Sequence, residues 1–153
     1  MMGLSEDVRA AVQEISSHPE ATIISHIDAD GISGEAILAQ ALAREGIRTT
    51  SVFVRQLEPL TMRQVPMDDS FKIFCDLGAG QQNLLEGYGL SNEEVLIIDH
   101  HVSQDCGTAY QQVKHKSWQH SARQLEEILL RHAPPPEARV AYRAASSDDI
   151  DML

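Results

Sequence analysis

Three short clusters hold the residues able to do chemistry in this 153-residue chain: His26, Asp28 and Asp30 ahead of Gly31; Asp76 ahead of Gly78 and Gly80; and Asp99, His100 and His101. The spacing His26-x-Asp28-x-Asp30 sends alternate side chains to one side of an extended segment, so an imidazole and two carboxylates point together. Gly31 then allows a sharp turn. Gathered in one crevice, these acids and imidazoles would repel one another and lose hydration, a cost that a divalent cation removes. Mixed carboxylate and imidazole donors suit Mn, Fe or Zn, and two such ions about 3.5–4 Å apart form the clamp used for phosphoryl hydrolysis.

Taken singly, each cluster has a plainer reading. A His-x-Asp-x-Asp stretch in an acidic chain is ordinarily a solvated loop, and Asp-His-His says less still. Asp76, after an apolar run, can simply cap a helix that begins near Gly80. Gly78-Ala79-Gly80 is not a dinucleotide fingerprint, because Asn83 stands where the third glycine belongs; it reads as a tight backbone turn. The conjunction favours a metal site, since all three clusters end short apolar runs.

Those runs are Ala21 to Ser25, Phe71 to Cys75 and Val95 to Ile98; Thr49 to Val54 is a fourth without a polar cluster. All are rich in β-branched or aromatic residues and read as buried strands, with Tyr110 to Val113 as a fifth. Between them lie helical stretches. Leu4, Val8, Val12 and Ile15 recur at helical spacing over residues 5–17, with Ser5 as cap and Pro19 beyond the end; Gly34 to Glu45, Leu60 to Val65 and Gln81 to Glu86 follow. Strands alternating with helices predict a three-layer α/β/α domain with a mostly parallel sheet of about five strands. In such sheets ligands bind at the C-terminal edge, where side chains leaving adjacent strands converge. Ser121 to Arg131, with Leu125, Ile128 and Leu129 on one face, reads as a further helix stopped by Pro134, Pro135 and Pro136; residues 137–153 read as a short helix and an acidic end.

The length suits one domain over residues 1–153. The formal charge is -11, and residues 1–110 hold 17 of the 23 acids but six of the 12 bases. That excludes a bare DNA-groove binder, which needs clustered Lys and Arg. Apolar runs fall short of the roughly 18 residues of a membrane span, and the N-terminus lacks signal-peptide regions, so a cytoplasmic protein without membrane partners is expected. Cys75 and Cys106 form no CxxC pair and are expected as free thiols. His18, His115, His120 and His132 sit in polar surroundings and are expected at the surface. Trp118, just after Lys114, His115 and Lys116, either stacks a base or covers the core.

The segments HIDADG (His26 to Gly31), CDLGAG (Cys75 to Gly80) and IIDHH (Ile97 to His101) resemble the first three motifs of the DHH phosphoesterase superfamily. They are closest to RecJ-like single-strand nucleases, particularly the archaeal GINS-associated type. Family II pyrophosphatases resemble the chain less, since they set three residues where only Ile27 separates His26 from Asp28. The resemblance implies two Mn2+ ions, with Mg2+ as a substitute: His26, Asp28 and Asp76 on one, Asp30, Asp76 and His100 on the other, Asp76 bridging. Asp99 would orient its neighbours through hydrogen bonds, and His101 would meet the scissile phosphate. The reaction implied is in-line attack of an activated water on phosphorus. A fourth acidic ligand some fifty residues further on corresponds best to Asp148, with Asp149 and Asp151 as alternatives. The DHH-associated C-terminal domain of the family is expected to be absent from residues 1–153.

The function expected from this resemblance is single-strand-specific exonucleolytic cleavage of DNA, RNA or short oligonucleotides, with a replication-complex protein such as GINS as a partner. A DHH domain serving as a binding or scaffold subunit, and a hydrolase of a dinucleotide or pyrophosphate, are the alternatives. The acidity favours short substrates or a basic partner.

Overall fold

A computed structural model describes residues 4–104 and 106–113. The elements run α1 (Leu4–Ser16), β1 (Glu20–His26), α2 (Ala29–Arg44), β2 (Arg48–Val54), α3 (Pro59–Met62), β3 (Phe71–Cys75), a 3-10 turn (Ala79–Gln81), α4 (Gln82–Gly87), β4 (Val95–Ile98) and β5 (Gln111–Val113). The five strands form one sheet in the order β2-β1-β3-β4-β5, and every pairing is parallel. The mostly parallel sheet expected is thus parallel throughout the described residues.

Both faces of the sheet are covered, which is why β4 reads as an unbroken apolar run, and β3 as one interrupted only by Lys72, rather than as alternating strands. On one face Val8, Ala11 and Ile15 of α1 and Ile37, Leu38, Ala41 and Leu42 of α2 pack on Ala21, Ile23, Ile73, Leu96 and Ile98. On the other, Met62 of α3 and Leu85 of α4 join Leu57, Val65 and Leu90 over Ile24, Phe74, Val95 and Ile97. This is the three-layer α/β/α arrangement.

Three expectations need correction. Helix α2 starts at Ala29, not Gly34, so Asp30 and Gly31 lie in a helical turn rather than on an extended segment. The reason is local capping: the Asp28 carboxylate accepts the Gly31 N–H at 2.9 Å and opens the helix there. Gly31 is therefore not a turn residue; it permits contact, because a Cβ on it would fall 2.1 Å from the His26 carbonyl oxygen. Helix α3 is four residues long, ending before Val65. His18 is partly buried, stacked on the Phe71 ring at 4.3 Å and 3.2 Å from Glu14, because the chain from α1 turns over the start of β3.

Cys75 and Cys106 are free thiols. Among the described residues no helix is long and apolar enough to cross a membrane. The expectations for His115, Trp118, His120, Ser121 to Arg131, His132, the proline run and Asp148 lie outside the described residues.

Candidate metal centre

The register of the sheet sets the site. Ser25 is level with Cys75, and Cys75 with Ile98, on adjacent strands. The next residue along each strand is His26, Asp76 and Asp99, so the polar clusters stand in one row across β1, β3 and β4 at their C-terminal edge. Cluster-bearing strands that are first, third and fourth in the chain are thereby neighbours in space, at the edge where open parallel sheets bind ligands.

Two groups of potential ligand atoms form there, each with its atoms within 4.8 Å of one another: His26, Asp28 and Asp76, and Asp76, Asp99, His100 and His101. Asp76 belongs to both. It leaves β3 with φ of +61°, a left-handed conformation unusual for a residue other than glycine, held by its N–H donating to the Ile98 carbonyl at 2.8 Å. Short polar residues tolerate this conformation best, and functional sites are where such strain persists.

The charges are poorly satisfied by protein alone. Burial, foremost, pushes the Asp76 carboxyl above the usual range; the His100 hydrogen bond opposes this and the Asp28 charge adds to it. Asp76 Oδ1 is buried without a well-formed hydrogen bond, although His100 Nε2 lies 3.2 Å away in ion-pair range. That contact, foremost, raises the His100 pKa above its ordinary value against the effect of burial, and Asp76, Asp99 and Asp30 charges add to it. At Asp28 burial pushes upward but is outweighed by the Gly31 amide and by His26, so its pKa is lowered. His26 Nδ1 lies 3.0 Å from Asp28 Oδ2 and 3.3 Å from the Asp28 amide nitrogen. The imidazole and carboxylate donors of both His–Asp pairs suit a divalent cation.

Asp99 is different. Its Oδ1 accepts from the His100 N–H at 2.8 Å and the His101 N–H at 3.3 Å and sits 2.7 Å from His101 Nδ1, while Oδ2 accepts the Ala79 N–H at 3.0 Å. Three donors converge on Oδ1 and one on Oδ2, so this carboxylate is engaged by protein on both oxygens. It therefore supplies the helix-capping contact that Asp76 was a candidate for. His101, 56 % exposed at its side chain, packs tilted against His100 at 4.2 Å.

Of the sequence-selected residues, the structure gathers His26, Asp28, Asp76, Asp99, His100 and His101. Asp30 stands in the first turn of α2, close enough for its charge to bear on His100. Asp148 is outside the described residues. Sequence reasoning passed over Ser25, whose hydroxyl donates to the Gly31 carbonyl at 2.7 Å, and Gly34, whose Cβ would lie 3.2 Å from Cys75 Sγ. Their signal was weak: a serine ending an apolar strand, and a second glycine three residues after the first.

Residues 20–140 match the model of the DHH family, N-terminal domain. A search against curated proteins returns no match. Two manganese-bound crystal structures share the fold. Exonuclease RecJ bound to manganese aligns with a TM-score of 0.64 and 17% identity, over 98% of this chain and 44% of that one. RecJ from Thermus thermophilus in complex with Mn2+ aligns with 0.62 and 22%, over 98% of this chain and 24% of that one. The chain spans less than half the length of either. With the family match covering all three motifs and their row across the sheet, the chain belongs to the DHH family, whose N-terminal domain it matches.

Proposed function

We propose that this chain is a metal-dependent phosphodiesterase of RecJ-like type, acting on single-stranded DNA or RNA or on short oligonucleotides. The observation that carries the reading is the sharing of Asp76 by two groups of ligand atoms. A pair of sites meeting on one carboxylate is what a two-ion phosphoryl hydrolase requires. In this reading His26, Asp28 and Asp76 hold one ion, Asp30, Asp76 and His100 the other, and Asp148 is a further ligand. Two Mn2+ ions, or Mg2+ in their place, would supply an activated water near neutral pH and would offset charge developing on the phosphoryl oxygens.

The chain's own residues do the rest. Asp99 fixes the His101 ring through Nδ1, leaving Nε2 of a half-exposed imidazole to contact a phosphate oxygen. Asp28 both caps α2 and faces His26, so the helix start and the strand end are held together. The acidity of residues 1–110 supports short substrates, or a partner that brings basic surface. The wording of the three motifs supports a replication-complex protein such as GINS as that partner.

The test is hydrolysis by the full chain of a dinucleotide, a short single-stranded oligonucleotide and a duplex, with and without Mn2+. Cleavage of the single strand that needs Mn2+ or Mg2+ and disappears in Asp76→Ala is expected. Metal-independent turnover, or unchanged turnover in Asp76→Ala, overturns the reading. Preference for the dinucleotide over every longer strand assigns the site to small-phosphate hydrolysis instead. Mn2+ binding without turnover on any substrate assigns a binding role.

A further inference from the structure

Ser25 is fully buried at the end of β1, one residue before His26. Its hydroxyl donates to the Gly31 carbonyl at 2.7 Å and lies 3.3 Å from the His26 carbonyl oxygen, and its backbone is level with Cys75 on the neighbouring strand. Gly31 belongs to the first turn of α2, between Asp30 and the body of the helix, and Cys75 is the residue before Asp76. One residue therefore joins all three pieces of backbone that carry candidate ligands: its hydroxyl reaches β1 and α2, and its strand register ties it to β3.

The same junction is packed without slack. Gly31 rests on the His26 carbonyl so closely that any Cβ would collide with backbone, and Gly34, one turn on, rests on Cys75 Sγ. A helix seated this tightly has its position along the sheet determined by small contacts, since close-packed interiors transmit displacements of a few tenths of an ångström. The hydrogen bond also supplies direction: it pulls the Gly31 carbonyl toward the strand end, where Asp28 holds the Gly31 N–H from the other side.

We propose that Ser25 is a positioning residue of the metal centre: its hydroxyl holds the first turn of α2 against the ends of β1 and β3, and so sets the spacing between Asp30 and Asp76. The inference rests on the metal-centre reading above, and concerns a side chain that touches neither an ion nor a substrate. Groups that orient ligands without binding the metal typically alter its affinity by about 10–100-fold when removed.

Mn2+ binding to the full chain, followed by paramagnetic resonance, tests it alongside the melting temperature of the metal-free protein. Wild type should take up two ions with the spectrum of a magnetically coupled pair. Ser25→Ala should lose about tenfold in affinity and shift or lose the coupled spectrum, whereas Ser25→Thr, which keeps the oxygen, should stay nearer to wild type. Gly34→Ala crowds the same helix against Cys75 Sγ while leaving the Ser25 hydroxyl in place, and should favour the helix while disturbing the coupled spectrum. Wild-type affinity and spectrum in Ser25→Ala overturn the inference while leaving the metal-centre reading standing. Should Ser25→Ala not fold, a wild-type spectrum in Gly34→Ala overturns it. A wild-type chain that binds no Mn2+ removes the metal-centre reading and this inference together.

Discussion

Asp99 Oδ1 lies 2.7 Å from His101 Nδ1, and the same oxygen accepts the backbone N–H groups of His100 and His101. The carboxylate thus determines both the path of the Asp-His-His segment and the face its second imidazole presents. Because Oδ2 caps Ala79 across 20 residues of sequence, the turn after β3 and the turn after β4 are held by one side chain.

Asp99→Asn replaces one accepting oxygen by a donor facing backbone N–H groups or an imidazole nitrogen. We expect a loss of about 1–3 kcal/mol in stability, as for a buried polar contact left unmade. Phosphodiester turnover should fall by roughly 100-fold as the His101 ring loses its orientation. Denaturant melts and turnover on a short oligonucleotide check both, and a variant with normal turnover would show that Asp99 does not orient His101 for the reaction.

Asp76 is 2 % exposed and its carboxyl is pushed upward chiefly by burial. A raised carboxyl binds its proton more tightly in the folded protein than in the unfolded chain, so the associated stability is present below pH 3.8 and is lost as pH rises through the raised value. At neutral pH the ionised Asp76 of the metal-free protein therefore opposes folding. Asp76→Asn removes that charge and also suits the left-handed φ of +61°. Its metal-free melting temperature at pH 7 should rise by roughly 3 °C, about 1 kcal/mol. Stabilisation by added Mn2+ should vanish. A variant still stabilised by Mn2+ would remove Asp76 from the ligand set.

The site was legible in the sequence because β1, β3 and β4 are buried on both faces: their apolar runs stop where the sheet stops, and His26, Asp76 and Asp99 mark that line. The start of α2 was not legible. DADGISG combines two aspartates with two glycines, poor helix formers, and what makes it helical is the contact of Gly31 with His26 and of Asp28 with the Gly31 amide. The stacking of His18 on Phe71 and the capping of Ala79 by Asp99 join residues 53 and 20 positions apart, beyond the reach of any local pattern.

His100 gives the site a pH dependence of known sign. Its pKa is raised above 6.5, first by the hydrogen bond to Asp76 and then by the surrounding carboxylates. In the metal-free protein the protonated ring contributes stability that is complete below pH 6.5 and is lost as pH rises through the raised value. As a ligand of the proposed centre His100 must be neutral, so Mn2+ would displace that proton. Titration calorimetry at about pH 6.5 in buffers of different ionisation enthalpy should show proton release on binding, and affinity should climb as pH rises past the raised pKa. Release unchanged in His100→Ala would mean that the proton comes from elsewhere.

At the opposite end of β3, Lys72 is 1 % exposed, and its ammonium donates to the Ser70 carbonyl at 2.7 Å, to Asp68 Oδ1 at 2.9 Å and to the Asp68 carbonyl. Ser70 and then Lys72 hold the Asp68 carboxyl down to about 2, so its contribution to stability is present above pH 3.8 and lost as pH falls toward 2. Lys72→Met leaves these acceptors without their buried donor and should cost about 2–3 kcal/mol. Four residues of strand, roughly 13 Å, separate Lys72 from Asp76. Mn2+ affinity should therefore stay within about twofold of wild type, because well-separated sites contribute independently. Melting temperature and Mn2+ titration on the same sample decide it: a parallel loss of affinity would show that the metal centre depends on the global stability of β3 rather than on the local contacts at its C-terminal end.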